Sequence, residues 1–315
     1  MRFIGLYDRK AASIRLRSVF ARPRDSRSRG WGANLAPVKR RVAPGMLLAA
    51  LAAAPGAAAA PVEEVVTSGQ VTATLSYDKR PDGTYRDFRA KVVRAGQTLV
   101  DEALPEGCET CFAMPGNAGA GEKSIVARDL DGDAEPEVVV SLYTGGAHCC
   151  TISTLYGFQP AAGDYRRIRR NWRDAGFRLR DIGRDGTVEF DSRDANFAYA
   201  FASYAESFLP RQIFHYRAGR LVDDTSDFRR LVRRDAKRAL RLYRRYRDDE
   251  GVNPRGFLAG WVADKYRLGQ RRAANRALRR ALRRGELGKT APFQVGPAGR
   301  RYVKQLKRFL RKLGY

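Results

Sequence analysis

The acidic residues of one short stretch alternate in a way that suits a metal ion. Residues 129–137 read Asp-Leu-Asp-Gly-Asp-Ala-Glu-Pro-Glu, so every second position carries a carboxylate. Calcium takes about six to eight oxygen ligands at about 2.4 Å, and the alternating side chains of a curling loop can converge on one such ion. The stretch therefore predicts a Ca²⁺ site. Its ligands would be the side chains of Asp129, Asp131, Asp133 and Glu137 and the main-chain carbonyl of Glu135.

The residues on either side of this loop indicate strands. An EF-hand needs two flanking helices and a bidentate Glu at position twelve, where this chain has Val140. Residues 124–128 and 138–143 are instead rich in β-branched and apolar side chains, which is typical of strands. The sequence thus predicts a strand, an acidic loop and a second strand. An Asp-rich turn that holds no ion is the alternative interpretation.

This unit resembles the FG-GAP or VCBS repeat of extracellular proteins, through Asp-Leu-Asp-Gly-Asp followed by Pro-Glu-Val-Val-Val. The resemblance implies an exported calcium-binding β protein with propeller-blade-like units. One departure is Ala134, which stands where such loops usually have Gly for a sharp turn, so the affinity for calcium could be lower.

A degenerate second copy of the loop lies 52 residues further along the chain. It keeps acids at positions one, five and nine, as Asp181, Asp185 and Glu189, but position three is Gly183. We therefore expect a real repeat with a weaker second metal site. A fainter version around Asp82 is more simply a hairpin turn.

The charge divides the chain into three parts. Residues 1–60 carry a net charge of +10, residues 61–225 of −5 and residues 226–315 of +21, within a total of +26. Residues 38–60 combine a basic start, an apolar Ala-rich run and small residues, which is the layout of a signal peptide cleaved near Ala58 or Ala59. An uncleaved anchor is the alternative. Residues 1–37 are expected to be a disordered basic arm or the product of a start codon placed too early.

The four cysteines agree with an oxidising compartment. An even number in an exported protein indicates disulfides, and three pairings are possible. The block Gly145-Gly146-Ala147-His148-Cys149-Cys150 resembles one that follows such acidic loops in exported proteins, which implies local pairing. The local pairs would be Cys108 with Cys111 and Cys149 with Cys150. A zinc site built from Cys108, Cys111, His148 and Cys149 is the alternative, because Cys-x-x-Cys suits tetrahedral zinc.

The hydrophobic pattern changes period near residue 225. Residues 61–225 contain about ten short apolar runs separated by Gly, Pro and Asp, which predicts one antiparallel all-β domain. Residues 226–315 predict four helices, each with one apolar stripe and one Arg-covered face, and Asp227 is a candidate N-cap. The predicted class is α+β, with blade-like units that do not close into a ring and a small C-terminal helical bundle.

Three functions are compatible with these features. The first is a secreted, calcium-stabilised binding or structural protein whose partner the sequence does not name. The alternative is binding of a polyanion or of the cell envelope through the basic helices; no specific nucleic acid is expected, since no recognised motif is present. An enzyme with a site near His148 is the least favoured, because the chain has only two histidines and no hydrolase motif. We expect no membrane-spanning segment in the mature chain.

Overall fold

Antiparallel strands fill the first part of the described chain, and helices fill the second. The computed structural model describes residues 61–105, 112–118, 122–146, 149–289, 294 and 296–315. All of them belong to one unit, Ala57–Tyr315. The predicted leader, residues 1–60, lies outside the described residues, as do Cys108, Cys111 and His148.

The first sheet is a meander of four strands in chain order. The two central strands alternate between buried apolar residues and residues that are partly or fully exposed, as a sheet with one covered face requires. The sequence prediction missed the first strand, because its apolar residues Val62, Val65 and Val66 do not alternate with its polar residues, although its exposure does alternate. The strands are β1 (Val62–Ser68), β2 (Val71–Lys79), β3 (Tyr85–Arg94) and β4 (Gln97–Ala103).

The second sheet is also antiparallel and is covered on both faces. Its strand β7 (Glu137–Tyr143) is buried at six consecutive positions. Val138 and Val140 face the first sheet, while Val139 on the opposite face packs towards the third sheet. A strand between two packed layers therefore reads as a continuous apolar run. The strands are β5 (Met114–Pro115), β6 (Ile125–Arg128), β7 (Glu137–Tyr143), β8 (Thr151–Gln159) and β9 (Asp164–Arg173), with β5 and β6 both paired to β7.

The third sheet is a four-stranded antiparallel meander that packs against the second. Trp172 of β9 lies at the centre of this interface, with its ring stacked on Phe190 at 5.4 Å and tilted against Phe177 at 4.8 Å. The three sheets are open, and the described strands form neither a closed barrel nor a propeller ring. The strands are β10 (Phe177–Arg180), β11 (Glu189–Arg193), β12 (Arg211–Arg217) and β13 (Arg220–Asp223).

Four helices follow the strands, so the α+β class is confirmed. The helices share one apolar core with aromatic residues of the β11–β12 connection, Phe197, Phe201 and Phe208. Ion pairs join the helices to the third sheet, including Arg193 with Asp235 at 2.6 Å. The helices are α1 (Arg229–Tyr246), α2 (Arg255–Arg267), α3 (Arg271–Arg283) and α4 (Gly299–Lys312).

Two details of the helical prediction were wrong. Helix α1 follows Phe228 and has no side-chain cap, so Asp227 does not cap it. Helix α2 has no Arg-covered face along its first three turns, since every residue from Arg255 to Asp264 is buried. The reason is that α2 runs through the middle of the helical part, with the β11–β12 connection on one side and α1 and α3 on others.

Candidate metal centre

The first acidic loop connects β6 to β7 and is shaped by its own carboxylates. Asp129 Oδ1 accepts the N–H of Gly132 at 2.7 Å, and its Oδ2 accepts the N–H of Ala134 at 3.0 Å. Asp133 Oδ1 accepts the N–H of Glu135 at 2.8 Å. Both Gly132 and Ala134 have positive φ, 84° and 69°. Ala134 therefore occupies a left-handed position that favours glycine, at a cost of about 1 kcal/mol.

Three of the five predicted acids converge inside this loop. Oxygens of Asp129, Asp131 and Glu137 all lie within 4.8 Å of one another. Glu137 is only 2% exposed, and its Oε2 accepts the N–H of Leu130 at 2.9 Å. Asp131 Oδ1 is buried without a hydrogen-bond partner. This donor set consists of carboxylate oxygens, which suit a hard cation such as Ca²⁺.

The electrostatics of the group are unfavourable without a counter-charge. Burial raises the pKa of Glu137 to about 8, and the nearby charges of Asp131, Asp133 and Asp129 add to this, against the hydrogen bond from Leu130. Burial, followed by the charges of Asp133 and Asp129, also raises the pKa of Asp131. A bound cation would offset both the burial and the mutual repulsion of these carboxylates.

The other two predicted acids lie outside this group of converging oxygens. Asp133 is exposed. The carboxylate of Glu135 accepts two hydrogen bonds of 2.9 Å from Arg94 on β3, which lowers its pKa, and one of 3.2 Å from Gln70. Glu135 thus ties the loop to the first sheet through its side chain, while the predicted role of its carbonyl as a ligand stays a prediction. No spacing in the sequence pointed to Arg94, which is 41 residues away.

The second acidic loop connects β10 to β11 and repeats the local bonding of the first. Asp181 Oδ1 accepts the N–H of Arg184 at 2.5 Å, and its Oδ2 accepts that of Gly186 at 3.3 Å. Asp185 accepts the N–H of Thr187, as Asp133 accepts that of Glu135. Arg184 and Gly186 again have positive φ, 60° and 90°. The two loops therefore have the same backbone conformation at equivalent positions.

The second loop differs in what surrounds its carboxylates. Asp181, Asp185 and Glu189 also lie within 4.8 Å of one another, but Gly183 replaces Asp131. Glu189 is fully buried, and both of its oxygens have protein partners. Oε2 accepts the N–H of Ile182 at 2.5 Å, and Oε1 lies 3.1 Å from Nε2 of His215. This loop therefore has fewer free oxygens than the first.

His215 completes a buried polar chain that the sequence did not indicate. It lies on β12, as the strand prediction placed it, and is 6% exposed. Its Nδ1 is 2.9 Å from Asp224 Oδ2, and its ring stacks on Phe228 at 5.8 Å. The register of the sheet places Glu189 opposite His215. Asp224, just after β13, lies close to the other ring nitrogen as an ion-pair neighbour without a hydrogen bond.

The described cysteines form a disulfide between neighbours. Cys149 and Cys150 are bonded to each other immediately before β8. Thr144 holds this segment, since its Oγ1 accepts the N–H of Cys150 at 2.8 Å. The predicted pairing of Cys108 with Cys111 lies outside the described residues. The zinc alternative was wrong as stated, because it needs the thiolate of Cys149, which is bonded to Cys150.

The described chain is thus an α+β protein of three open antiparallel sheets and four helices, with two acidic loops of one pattern. Residues 232–314 match the family described as the sll0997 C-terminal domain. No solved structure matches the chain. Among the described residues, no helix combines the length and the apolar character needed to cross a membrane.

Two relatives are similar over longer stretches. Over 180 residues, 56% of this chain, it is 37% identical to the uncharacterised protein y4bJ of Sinorhizobium fredii, of which it covers 27%. Over 216 residues, 65% of this chain, it is 30% identical to the probable thylakoid lumen protein sll0997 of Synechocystis, of which it covers 59%. The chain therefore spans less than two thirds of either relative.

Proposed function

We propose that the chain is an exported protein whose β part is stabilised by one Ca²⁺ ion in the first acidic loop. The observation that carries this proposal is the convergence of Asp129, Asp131 and Glu137, with Glu137 buried and Asp131 Oδ1 buried without a partner. Buried carboxylates that have no cationic partner are costly, and a cation is the simplest way to offset that cost. The role of the ion in this proposal is architectural.

The proposal assigns the ion to the first loop only. In the second loop, protein donors already satisfy the buried Glu189, and glycine replaces the second acid. A cation there would have to compete with His215 and would find fewer oxygens. The side chains of Asp181 and Asp185 hold the second loop in shape without an ion, since they accept its main-chain N–H groups.

The second and third sheets are proposed to be blade-like units of the FG-GAP or VCBS type. Strands β6 to β9 and β10 to β13 are both antiparallel meanders, and each acidic loop joins the first two strands of its meander. The equal position of the two loops supports an internal repeat. In this proposal the unit binds a partner or serves a structural role, and it is not an enzyme, because carboxylates that bind a cation are poor general acids.

An extracytoplasmic location is part of the proposal. It is supported by the signal-peptide layout of residues 38–60, by the disulfide between Cys149 and Cys150, and by similarity to a protein described as a probable thylakoid lumen protein. Calcium reaches high concentrations outside the cell, so even a site of low affinity stabilises the native state there by mass action.

Thermal unfolding tests the calcium proposal. The full chain is unfolded in saturating calcium and in a chelator, together with the variants Asp129→Asn and Asp181→Asn. These two residues make equivalent hydrogen bonds in their loops, so both variants lose comparable local contacts. Calcium should raise the melting temperature of the natural chain and of Asp181→Asn by about 5 °C or more. Asp129→Asn should show little shift.

Two results would reject the proposal. The first is a natural chain whose melting temperature is the same in calcium and in chelator. The second is an equal loss of the calcium shift in both variants, which would point to a non-specific effect of the ion. A magnesium series in parallel distinguishes a calcium site from a general response to divalent cations.

A further inference from the structure

The exposed face of α1 carries a row of unpaired cations, which we call the basic groove. Its five members are exposed and recur along one side of the helix, opposite the buried residues Val232, Ala236, Ala239 and Tyr243. Within the described residues, none of the five forms an ion pair with an acid. The members are Arg230, Arg233, Arg234, Lys237 and Arg241.

Three concavities follow one another along these residues. The middle one, of about 320 Å³, is lined by the five cations themselves. The next, of about 630 Å³, shares Arg230 and Arg234 with it and extends to Arg184 in the second acidic loop. The third, of about 300 Å³, shares Arg233 and Lys237 and reaches α2. Because they share lining residues, the three concavities are direct neighbours along this face.

The charge of this face is unfavourable for the isolated helix. Like charges three or four residues apart repel each other on a helix surface. The first turn of α1 contains Arg229 and Arg230 and no acid, although the N-terminal end of a helix favours negative charge. Asp227 is the one acid among the residues that line the three concavities. Anionic groups bound along the groove would offset both the repulsion between the cations and their unfavourable interaction with the N-terminal end of the helix dipole.

We propose that the basic groove binds an extended, chain-like polyanion that carries phosphate groups. This inference goes beyond the calcium proposal and does not depend on it. From Arg230 to Arg241 the stripe covers 12 residues, or about 16 Å of helix axis between the first and the last. That length exceeds one small anion and fits several charged groups of a linear chain. The neighbouring concavities along the basic groove fit a narrow linear chain better than a flat membrane surface.

The experiment measures binding of fluorescently labelled inorganic polyphosphate to the full chain by anisotropy, over a series of salt concentrations. The test variant replaces Arg230, Arg234, Lys237 and Arg241 with Gln. The control variant replaces Arg272, Arg276, Arg279 and Arg283 of α3 with Gln. These four are also exposed and have the same spacing, so both variants lose four positive charges from one helical face.

If the basic groove binds polyphosphate, the two variants should differ clearly in their affinity for it. The α1 variant should bind polyphosphate about tenfold to hundredfold more weakly at physiological salt, and the α3 variant should bind within about threefold of the natural chain. Each phosphate contact contributes about 0.7 to the slope of log K against log salt, so the slope of the α1 variant should fall by about 3. Circular dichroism should show unchanged helix content in both variants.

Three outcomes would overturn the proposal. One is the absence of polyphosphate binding by the natural chain at physiological salt. Another is an equal loss of affinity in both variants, which would mean diffuse attraction by the net charge. The third is binding to vesicles of phosphatidylglycerol and phosphatidylcholine in the absence of polyphosphate binding, which would make the partner a membrane surface.

Discussion

The main-chain N–H of Val188 donates a hydrogen bond of 2.9 Å to the carbonyl oxygen of Leu130. Leu130 belongs to the first acidic loop and Val188 to the second, so the backbones of the two loops are in direct contact. The space at Gly132 is also bounded by the second loop, because a Cβ there would lie 3.7 Å from Thr187 Cγ2. An ion that stiffens the first loop would therefore also strengthen the contact between the second and third sheets.

Replacement of Glu137 by Gln should separate two effects on the free energy of unfolding, the destabilisation caused by burial of this carboxyl group and the stabilisation by a bound ion. The amide oxygen can still accept the N–H of Leu130, and Gln needs no proton to be buried. Without the ion, the raised pKa of Glu137, about 8, means that near pH 7 the natural chain must take up a proton when it folds. In chelator near pH 7, the variant should therefore be more stable than the natural chain by up to about 3 kcal/mol. Addition of calcium should not increase the free energy of unfolding of the variant. Urea unfolding with and without calcium measures both effects.

The matched control for that experiment is Glu189→Gln in the second loop. Glu189 holds the equivalent position and accepts the equivalent N–H, from Ile182. This variant should keep the full calcium response of the natural chain. A Glu137→Gln variant that is still stabilised by calcium as strongly as the natural chain would show that this carboxylate is not a ligand.

A double-mutant cycle should show strong coupling between Glu189 and His215. The variants are Glu189→Gln, His215→Phe and the two combined; Phe keeps an aromatic ring against Phe228 but removes the donor. Both residues are buried, so loss of one leaves the other without its partner. We expect a coupling free energy of about 1–3 kcal/mol from urea unfolding. A value below about 0.5 kcal/mol would mean that the contact contributes little.

Asp264 on α2 should make the stability of the chain fall as pH rises. It is fully buried, and neither carboxylate oxygen has a hydrogen-bond partner. Burial, followed by the charge of Asp235, raises its pKa well above the ordinary value of 3.8, against the opposing charges of Arg193, Arg267 and Arg211. The folded state therefore holds this proton more tightly than the unfolded state does. Its contribution is complete below 3.8 and is lost as pH rises towards the folded-state pKa.

The variant Asp264→Asn tests this effect. Urea unfolding between about pH 4 and about pH 8 should show a smaller decline in stability than for the natural chain, with the difference growing as pH rises. Asp248→Asn is the control, because the side chain of Asp248 is 77% exposed and its replacement should leave the pH dependence unchanged. Identical pH profiles for Asp264→Asn and the natural chain would contradict the assignment.

Replacement of Gly260 by Ala should destabilise the chain by about 2 kcal/mol or more. A Cβ at Gly260 would lie 2.5 Å from Cδ1 and 2.8 Å from the carbonyl oxygen of Phe208, which belongs to the β11–β12 connection. The backbone there would have to move away from α2. Gly251→Ala is the control, since its nearest neighbour is the flexible side chain of Asp249 at 3.3 Å. Chemical unfolding should show a change of no more than about 0.5 kcal/mol for the control.

Much of the local structure was predictable because it depends on residues close together in the chain. The acidic loops bend because N–H groups three to five residues further along the chain donate hydrogen bonds to Asp129 and Asp181, so the residue spacing alone indicates the turn. The four helices followed from a period of 3.6, and the strands from apolar runs between turn residues. Strand β1 was missed because its apolar and polar residues do not alternate along the sequence.

The sequence by itself determined the α+β class, the position of the acidic loops and the repeat between them, since these follow from short-range hydrogen bonds and hydrophobic period. Only the tertiary structure decided which carboxylates converge. Glu135 is drawn to Arg94 and Glu189 to His215 because sheet pairing brings distant strands together. Helix α2 is buried because the chain packs around it, and the local signal of this burial is its unbroken run of apolar and small residues from Gly256 to Ala263. Long-range contacts depend on register and packing, which no local spacing encodes.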